Sequence, residues 1–459
     1  MRLIRLLVPV LLVGIAGPAY ADDGLHELAR AYVAAHASGG SVVPSFARQT
    51  GLACSACHYQ FLALTPFGRK FKLNGYTMTN QASITEKDSS SGGKLGLSPF
   101  SMLSAMVMTS LTHTKDGVPG TQNDVTELPQ QLSGFLAGRI APNLGIFSQF
   151  TYSGADGSFG IDNIDIRYAN KMMVGGSTEA DYGITLNNNP TVQDLWNSTP
   201  AWGFPFIAPE VAPSPAAAPK IAGSFAQNVL GLGGYTLVGD LVYAEFSVYR
   251  SALQGVGAPT PASGAINGVA PYWRIALQKD FDNQSVMLGT YGMHTSLFPA
   301  AVSGPTDRYT DVGIDAQFET KVGTGHLVAR GSWVHEQQTL DATFAAGGST
   351  NASNTLKSAN LNASYYPKQW LGVTAGYFDI TGSADAKLYA PAPVSGSANG
   401  EPKSNGFIGE LDLNPWENAR VGLQYTAYSN FNGGGSNYDG SGRSASGNNT
   451  LYAFVWLMF

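Results

Sequence analysis

Polar and apolar residues alternate along strand-length runs through most of the chain. In residues 356–366, Ala359 and Leu361 share one face, whereas Asn360 and Asn362 share the other. Successive side chains of a β-strand point to opposite sides, so this alternation predicts strands with one apolar and one polar face. The pattern therefore predicts a mainly β protein.

The polar face of these strands carries amides and acids rather than large aliphatic residues. In residues 309–319, Val312 and Ile314 alternate with Asp311 and Asp315. A soluble β-sandwich also alternates, but aliphatic side chains fill its interior. A polar interior and an apolar exterior favour a barrel whose outer surface contacts lipid.

The runs and their connections predict an outer-membrane antiparallel β-barrel of about 16 strands, an even number typical of bacterial barrels. The first strand is expected near residues 99–111, and the last, 450–459, ends on Phe459. Short turns belong to the periplasmic side and long loops to the outside. The long loops include residues 111–128, 189–230, 251–270, 339–355, 380–404 and 429–449.

The N-terminus has the features of a secretory signal peptide. MRLIR precedes an apolar stretch at residues 6–16, and Ala19-Tyr20-Ala21 has the form that signal peptidase cleaves. Cleavage is expected after Ala21. No later segment approaches the roughly 18 uninterrupted apolar residues of a transmembrane helix, so strands must make any membrane crossing.

Composition agrees with a membrane β protein. Charged residues make up 13% of the 459-residue chain, aromatic residues 11%, and glycine contributes 55 residues. The charged fraction is about half of that in soluble globular chains. The net charge of -6 comes without a basic cluster, so no nucleic-acid partner is expected.

Both cysteines of the chain lie in the motif CSACH, with Cys54, Cys57 and His58 in C-x-x-C-H spacing. This spacing lets two thiols form thioethers to haem vinyl groups while the histidine ligates iron. A redox dithiol or half of a zinc site are the alternatives. The chain has no further cysteine for a zinc cage and no surrounding βαβ pattern, which favours one covalent haem c.

The sixth iron ligand is left open by the sequence. Met78 is the nearest downstream candidate, and His26, His36 and the more distant His113 are others. None has a decisive spacing, and each is an ordinary surface or packing residue in the alternative interpretation. A water molecule, or no sixth ligand, is also compatible with the sequence.

Residues near the motif are candidates for the haem environment. Arg48, Arg69 and Lys72, with the adjacent Lys70, could pair with haem propionates, or they could be solvated or lumen-facing charges. Aromatic residues could cover the haem edge or contact the barrel wall instead. These aromatic residues are Phe46, Phe67, Phe71 and Tyr76.

Seven acidic residues fall on predicted polar faces, where they would make the lumen acidic and attractive to a divalent cation. The preferred interpretation is a hydrated porin interior. We expect His294, His326 and His335 to be structural or interfacial residues. The acidic residues are Asp165, Glu245, Asp311, Asp315, Glu319, Glu410 and Asp412.

Three stretches resemble the fused cytochrome-porins of iron-oxidising bacteria. They are PSFARQTGLACSACH at residues 44–58, LTPFGRKFKLNGY at residues 64–76 and LNNNPTVQDLWNSTPAWGFPF at residues 186–206. The layout also agrees with that family. It gives a signal peptide at 1–21, a small α-helical c-type monohaem domain at 22–96 that plugs the lumen, and a porin-like barrel at 97–459.

The resemblance implies a function in the outer membrane of a Gram-negative bacterium. The protein would oxidise extracellular Fe(II) and pass the electron through the haem to a periplasmic c-type cytochrome. An enzymatic description would be Fe(II):cytochrome c oxidoreductase. Two alternatives stay open, namely a diffusion porin with a structural or sensing haem, and electron transfer from a donor other than Fe(II). No hydrolase or phosphate-binding motif occurs in a suitable context.

Overall fold

A computed structural model describes residues 45–78, 102–252, 264–299 and 302–459. The predicted signal peptide, the candidate ligands His26 and His36, and residues 79–101 lie outside the described residues. Among the described residues, helices are all too short or too polar to cross a membrane.

Sixteen long antiparallel strands close into a barrel in the described part of the chain, which confirms the predicted fold class for the barrel. Each pairs with its neighbour in sequence, and the last strand pairs with the first. A further strand of two residues, β10 Ala265–Ile266, pairs with Leu297 and Phe298. The long strands are β3 Leu103–Thr114, β4 Asp124–Ala141, β5 Leu144–Ser153, β6 Ser158–Val174, β7 Thr178–Asn187, β8 Val229–Val238, β9 Val242–Ser251, β11 Ala270–Asp280, β12 Gln284–Phe298, β13 Asp307–Val322, β14 Gly325–Thr339, β15 Ser353–Lys368, β16 Leu371–Gly382, β17 Ser404–Trp416, β18 Ala419–Asn430 and β19 Thr450–Met458.

The alternation predicted for β13 is confirmed by burial. Asp311 and Asp315 are each only 2% exposed, whereas Val312 and Ile314 are 42% and 52% exposed. Exposed apolar side chains at alternate positions recur on the other strands, among them Leu361 on β15. The barrel therefore turns an apolar surface outwards and encloses polar side chains.

Turns of two or three residues join consecutive strands at one end of the barrel. Examples are residues 142–143 between β4 and β5 and 323–324 between β13 and β14. Most connections at the other end are longer, and residues 383–403 and 431–449 are two of them. The predicted alternation of short and long connections is confirmed. The short-turn end, which also holds the start of β3 and the end of β19, is called the turn end below.

Residues 45–78, here the N-terminal segment, contain three short helices and a small hairpin. They are α1 Ser45–Thr50, α2 Cys54–Cys57, β1 His58–Gln60, β2 Ala63–Leu64 and α3 Pro66–Leu73. Thr65 caps α3 by accepting a hydrogen bond from the Gly68 N–H at 3.1 Å, and Pro66 occupies the first helical position. Both are favourable starts for a helix.

The N-terminal segment contacts the turn end of the barrel. The Gln60 side chain donates to the carbonyl of Gln369 in the β15–β16 turn at 3.2 Å. The Lys70 ammonium lies 2.6 Å from Asp240 in the β8–β9 turn. Lumen-facing Glu319 of β13 pairs with Arg69. These contacts hold the segment in the lumen near the turns.

Residues 188–228, here the lumen loop, leave β7 at the long-loop end and fold inwards. Trp196 is 1% exposed and donates its indole N–H to Gln278 of β11 at 3.2 Å. Farther along, the backbone N–H of Lys220 donates to Glu336 of β14. The loop also bonds to the opposite wall, where Ile207 accepts from Gln424 of β18. It therefore crosses the lumen.

Candidate functional site

The motif residues share the wall of one cavity. One turn of α2 carries Cys54 and Cys57, which are three residues apart and so lie on one side of the helix, and His58 follows directly. Both thiols are free. All three side chains line a cavity with about 1200 Å³ of empty space, part of it open to solvent.

The remaining wall is mostly apolar, with several aromatic side chains, and comes from three parts of the chain. Phe46, Phe71 and Tyr76 of the N-terminal segment contribute, and these are three of the four aromatic residues predicted near a haem edge. Phe46 packs edge-on against Phe71 at 5.2 Å and stacks on Tyr76 at 5.6 Å. The fourth predicted aromatic residue, Phe67, is 43% exposed and does not line the cavity. The barrel and lumen loop add Phe135, Phe147, Trp202 and Met458.

A capping interaction fixes the motif against α3. The Thr65 hydroxyl donates to the carbonyl of Ala56 at 2.8 Å, and its N–H donates to the carbonyl of Cys57 at 2.9 Å. A Cβ atom on Gly68 would overlap the carbonyl oxygen of Cys57. The close approach of α2 and α3 therefore needs glycine at this position.

Burial keeps the imidazole of His58 neutral. It lowers the pKa of His58 to about 4 and raises the pKa of each thiol to about 11. The Nδ1 atom of His58 is buried and has no hydrogen-bond partner among the described residues. A neutral imidazole is the form that ligates iron. Two free thiols, this imidazole and an apolar aromatic wall fit a covalently attached haem c.

The three cationic candidates lie in different places. Arg69 points away from the cavity, and its guanidinium lies 2.6 Å from Glu319 and 3.7 Å from Asp280. Arg48 donates to the carbonyl of Leu103 and does not line the cavity. Only Lys72 lines it. On helix α3, Gly68, Phe71 and Lys72 share the cavity face, whereas Arg69 projects from another face.

The ammonium of Lys72 is already engaged. It donates to the carbonyls of Val192 and Asp194 at 2.8 and 2.6 Å, and it lies 4.6 Å from the centre of the Trp202 ring. Burial lowers its pKa to about 7. Arg69 is paired with Glu319 and does not line the cavity, so its predicted pairing with a haem propionate has no support in this geometry, whereas Lys72 lines the cavity.

The structure places the two described candidates for the sixth ligand, Met78 and His113, outside the cavity wall. Met78 is half-buried and does not line the cavity. His113 lies near the end of β3 that faces the long loops, where its Nδ1 is 2.5 Å from Asp124. The cavity adjoins the opposite end of β3 at Ser104. Neither residue is positioned beside His58.

The seven predicted lumen acids are all buried rather than hydrated as in the preferred interpretation, and most are paired with arginine. Arg167 holds Asp165, Arg274 holds Asp315, and Arg420 bridges Glu410 and Asp412. No cluster of three metal-binding side chains occurs among the described residues. The lumen charge is thus largely compensated. Among the three histidines, His326 contacts Tyr59 at 4.8 Å and His335 stacks on Trp333 at 6.0 Å.

A second depression reaches the motif from the turn end. It is lined by Ser55 and His58, by Asp280 and Lys321 near the ends of β11 and β13, and by Trp370 among others, and it holds about 1510 Å³ of empty space, part of it open to solvent. His58 therefore lies between the apolar cavity and an opening at the turn end.

Sequence reasoning missed Trp202 and Met458 as cavity residues. Trp202 lies in a loop, and its return into the lumen has no local signal. Met458 carried a usable signal, because alternation along β19 puts it on the same face as Trp456 and Phe454. Its nearness to the motif follows only from closure of the barrel.

Neither a protein-family model nor a curated protein matches this chain. Solved outer-membrane proteins resemble it in structure, each over 78% of this chain. OmpF of Salmonella typhi, in complex with daunomycin, has a TM-score of 0.45 with 14% identity over 97% of its length. An anion-selective porin from Comamonas acidovorans has a TM-score of 0.45, with 14% identity over 98% of its length. A loop-deletion mutant of OmpT from Vibrio cholerae has a TM-score of 0.44, with 10% identity over 98% of its length.

Proposed function

We propose that this protein is an outer-membrane electron-transfer protein with one haem c attached at Cys54 and Cys57 and ligated by His58. It accepts electrons from extracellular Fe(II), the donor implied by the family resemblance, and delivers them to a periplasmic c-type cytochrome. The observation that carries the proposal is the shared cavity. Both thiols and an unengaged imidazole nitrogen meet in an apolar space inside a barrel.

The outer surface of the barrel supports membrane insertion. Apolar side chains such as Ile314, Leu361 and Phe407 are more than half exposed, and polar partners on the same strands are buried. Exposing so much apolar surface to water is costly, whereas lipid accepts it. Short turns mark the periplasmic end of bacterial barrels. The cavity lies near that end, because Ser104 and Met458 both line it.

This position suits exchange with a periplasmic partner. When bound, haem iron supplies one-electron redox chemistry. Phe46, Phe71 and Phe147 form part of an apolar wall that limits the access of water to the site. The two cysteines of α2 would fix the orientation of an attached haem. The depression beside Ser55 and His58 leaves an approach from the periplasm.

Optical reduction in sealed outer-membrane vesicles tests the proposal. Oxidised protein is exposed to external Fe(II), and the reduced haem bands are followed, with a Cys54→Ala/Cys57→Ala variant as the control. We expect prompt reduction in the unaltered protein and no covalent haem in the variant. Haem that dithionite reduces but Fe(II) does not would contradict Fe(II) as the donor. Absence of haem from the unaltered protein would contradict the proposal as a whole.

A diffusion porin with a structural or sensing haem is the second candidate. Asn360 faces the lumen by alternation along β15 and is solvent-exposed, whereas Ser364 on the same face is fully buried. Part of the lumen beside β15 is therefore accessible to water. Single-channel conductance in planar bilayers tests this candidate. Open-channel current that persists without covalent haem would favour the porin, and a closed channel would favour electron transfer alone.

A further inference from the structure

The haem-binding cavity contains one sulfur atom besides the two thiols. It belongs to Met458, the last residue of β19, which lines the same cavity as His58 and is 7% exposed. Alternation along β19 directs Met458 into the lumen together with Trp456 and Phe454. Phe61 connects the two sides, since its ring lies 5.2 Å from His58 and 5.0 Å from Trp456.

The other nitrogen and oxygen groups of the cavity wall that could ligate iron already make hydrogen bonds. The Lys72 ammonium donates to two backbone carbonyls. The Tyr76 hydroxyl donates to Asp165 at 2.6 Å, and the Asn197 amide donates to the carbonyl of Leu62 at 2.7 Å. The Thr50 hydroxyl donates to Phe46 at 2.8 Å. Moving any of these groups to an iron atom would leave a buried polar partner unsatisfied, at a cost of about 1–3 kcal/mol.

The backbone of Met458 is rigidly held. Its N–H donates to the Asn418 carbonyl at 2.8 Å, and its carbonyl accepts from the Asn418 side chain at 2.9 Å. On the other side, Phe459 exchanges two backbone hydrogen bonds with Ala105 of β3. Ligands on rigid elements keep their position better than ligands on loops. The barrel thus presents the thioether at a fixed point of the cavity wall.

We propose that the thioether sulfur of Met458 is the second axial ligand of the haem iron, with His58 as the first. This inference rests on the proposed function, because it requires the haem. A methionine opposite a histidine raises the reduction potential relative to two histidines, which favours electron uptake from a weakly reducing donor such as Fe(II). The iron would also join the N-terminal segment, through His58, to the closing strand of the barrel.

Met106 supplies a matched control. It lies on β3 directly opposite Met458 in the strand register, is also buried at 2% exposure, and faces the lumen, yet it does not line the cavity. Met458→Leu and Met106→Leu therefore each remove one thioether sulfur, from neighbouring positions that face the lumen. Leucine and methionine have nearly equal volumes. Both substitutions are close to isosteric and should leave the barrel folded.

The test uses the full-length haem-loaded protein in detergent. Covalent haem is measured by the pyridine haemochrome, and axial ligation by the near-infrared charge-transfer band of thioether-bound ferric haem, by carbon monoxide binding and by the midpoint potential. We expect the band in the unaltered protein and in Met106→Leu. In Met458→Leu, we expect full covalent haem, loss of the band, a lower potential and new binding of carbon monoxide.

The outcomes separate this inference from the proposed function. A band that survives in Met458→Leu, or a bis-histidine spectrum in the unaltered protein, would overturn the ligand assignment and leave the haem in place. A bis-histidine spectrum would point to another histidine of the chain as the second ligand. Absence of covalent haem from the unaltered protein would overturn both. Met458→His adds a positive test, because it should restore a six-coordinate spectrum at a lower potential.

Discussion

The two faces of the N-terminal segment use their side chains in opposite ways. On the face towards β13 and the turns, charged groups are paired, as Arg69 is with Glu319 and Lys70 with Asp240. On the cavity face, most side chains are apolar, and the buried Nδ1 of His58 has no hydrogen-bond partner among the described residues. Arg69 and Lys70 therefore attach the segment to the barrel, while Lys72 is the one of these three cations that lines the candidate cofactor site.

The difference shows what proximity in sequence can predict. Arg69 and Lys72 are one turn apart on α3, yet Arg69 pairs with Glu319 of the barrel wall, whereas Lys72 donates to two carbonyls of the lumen loop. A buried charge inside a barrel also needs an opposite charge nearby, because an unpaired buried ion has a high desolvation free energy. The lumen face of β13 already provides the carboxylates of Asp311, Asp315 and Glu319. The anchoring role of Arg69 follows from these two facts.

The strongest test of the anchoring face is Glu319→Gln, which leaves the buried Arg69 guanidinium without its nearest carboxylate, so that the more distant Asp280, at 3.7 Å, remains. We expect a loss of about 3–5 kcal/mol in the free energy of unfolding, because both side chains are at most 5% exposed. Urea unfolding in detergent micelles, with trypsin cleavage of the N-terminal segment as a second readout, measures the effect. The double variant Arg69→Met/Glu319→Leu should recover much of the loss. A loss below about 1 kcal/mol in the single variant would show that the pair does not anchor the segment.

The cavity face is tested by thiol reactivity in haem-free protein. Burial raises the pKa of Cys54 and Cys57 from 9.0 to about 11. The thiolate is the nucleophile, so a raised pKa leaves less of it at pH 8. Iodoacetamide should react roughly a hundredfold more slowly than with the urea-unfolded chain, and the folded rate should rise about tenfold per pH unit up to pH 10. Equal rates in folded and unfolded protein would contradict an apolar cavity.

The close contact between α2 and α3 is tested by Gly68→Ala. The added methyl group would overlap the Cys57 carbonyl and push α3 away from α2. We expect a loss of about 1–3 kcal/mol in unfolding free energy, the usual cost of overpacking, together with less covalent haem per protein. Gly409→Ala on β17 is the control, because no heavy atom lies within 4 Å of the added Cβ. A similar result for both variants would argue against a tight α2–α3 contact.

The smallest effect is expected for Asp240→Asn, which removes the exposed partner of Lys70. The Asp240 side chain is 65% exposed, and the Lys70 ammonium keeps a second carboxylate, Asp181, at 3.0 Å. Exposed ion pairs contribute about 0–1 kcal/mol. The same urea titration should therefore show less than a quarter of the Glu319→Gln effect. A larger loss would mean that the turns, and not the lumen wall, hold the segment.

Much of the barrel could be predicted from the chain alone. Alternation in residues 309–319 gave the correct inward and outward faces of β13, because a strand has no other way to place successive side chains. The turn positions and the C-terminal strand followed from the same periodicity. The strand ends were less certain, as β3 begins at Leu103 and not near residue 99. Hydrogen bonding to neighbours, which sets strand ends, has no local code.

The candidate site divides in the same way. The spacing of Cys54, Cys57 and His58 is a local property, and it alone points to covalent haem. The sequence could not choose among Met78, His113 and other sixth ligands, nor indicate Met458, because that choice depends on which wall of the closed barrel faces His58. More than 390 residues separate His58 from Met458 along the chain.

The sequence by itself determined the strand periodicity, the polarity of each strand face and the local chemistry of the C-x-x-C-H motif, since these depend only on residues a few positions apart. The tertiary structure decided how those parts meet. Pairing of β19 with β3 brings Met458 to the cavity, and the inward fold of the lumen loop brings Trp202. Ion pairs such as Arg69 with Glu319 form only when distant segments are packed together, because burial of a charge demands a partner wherever the fold supplies one.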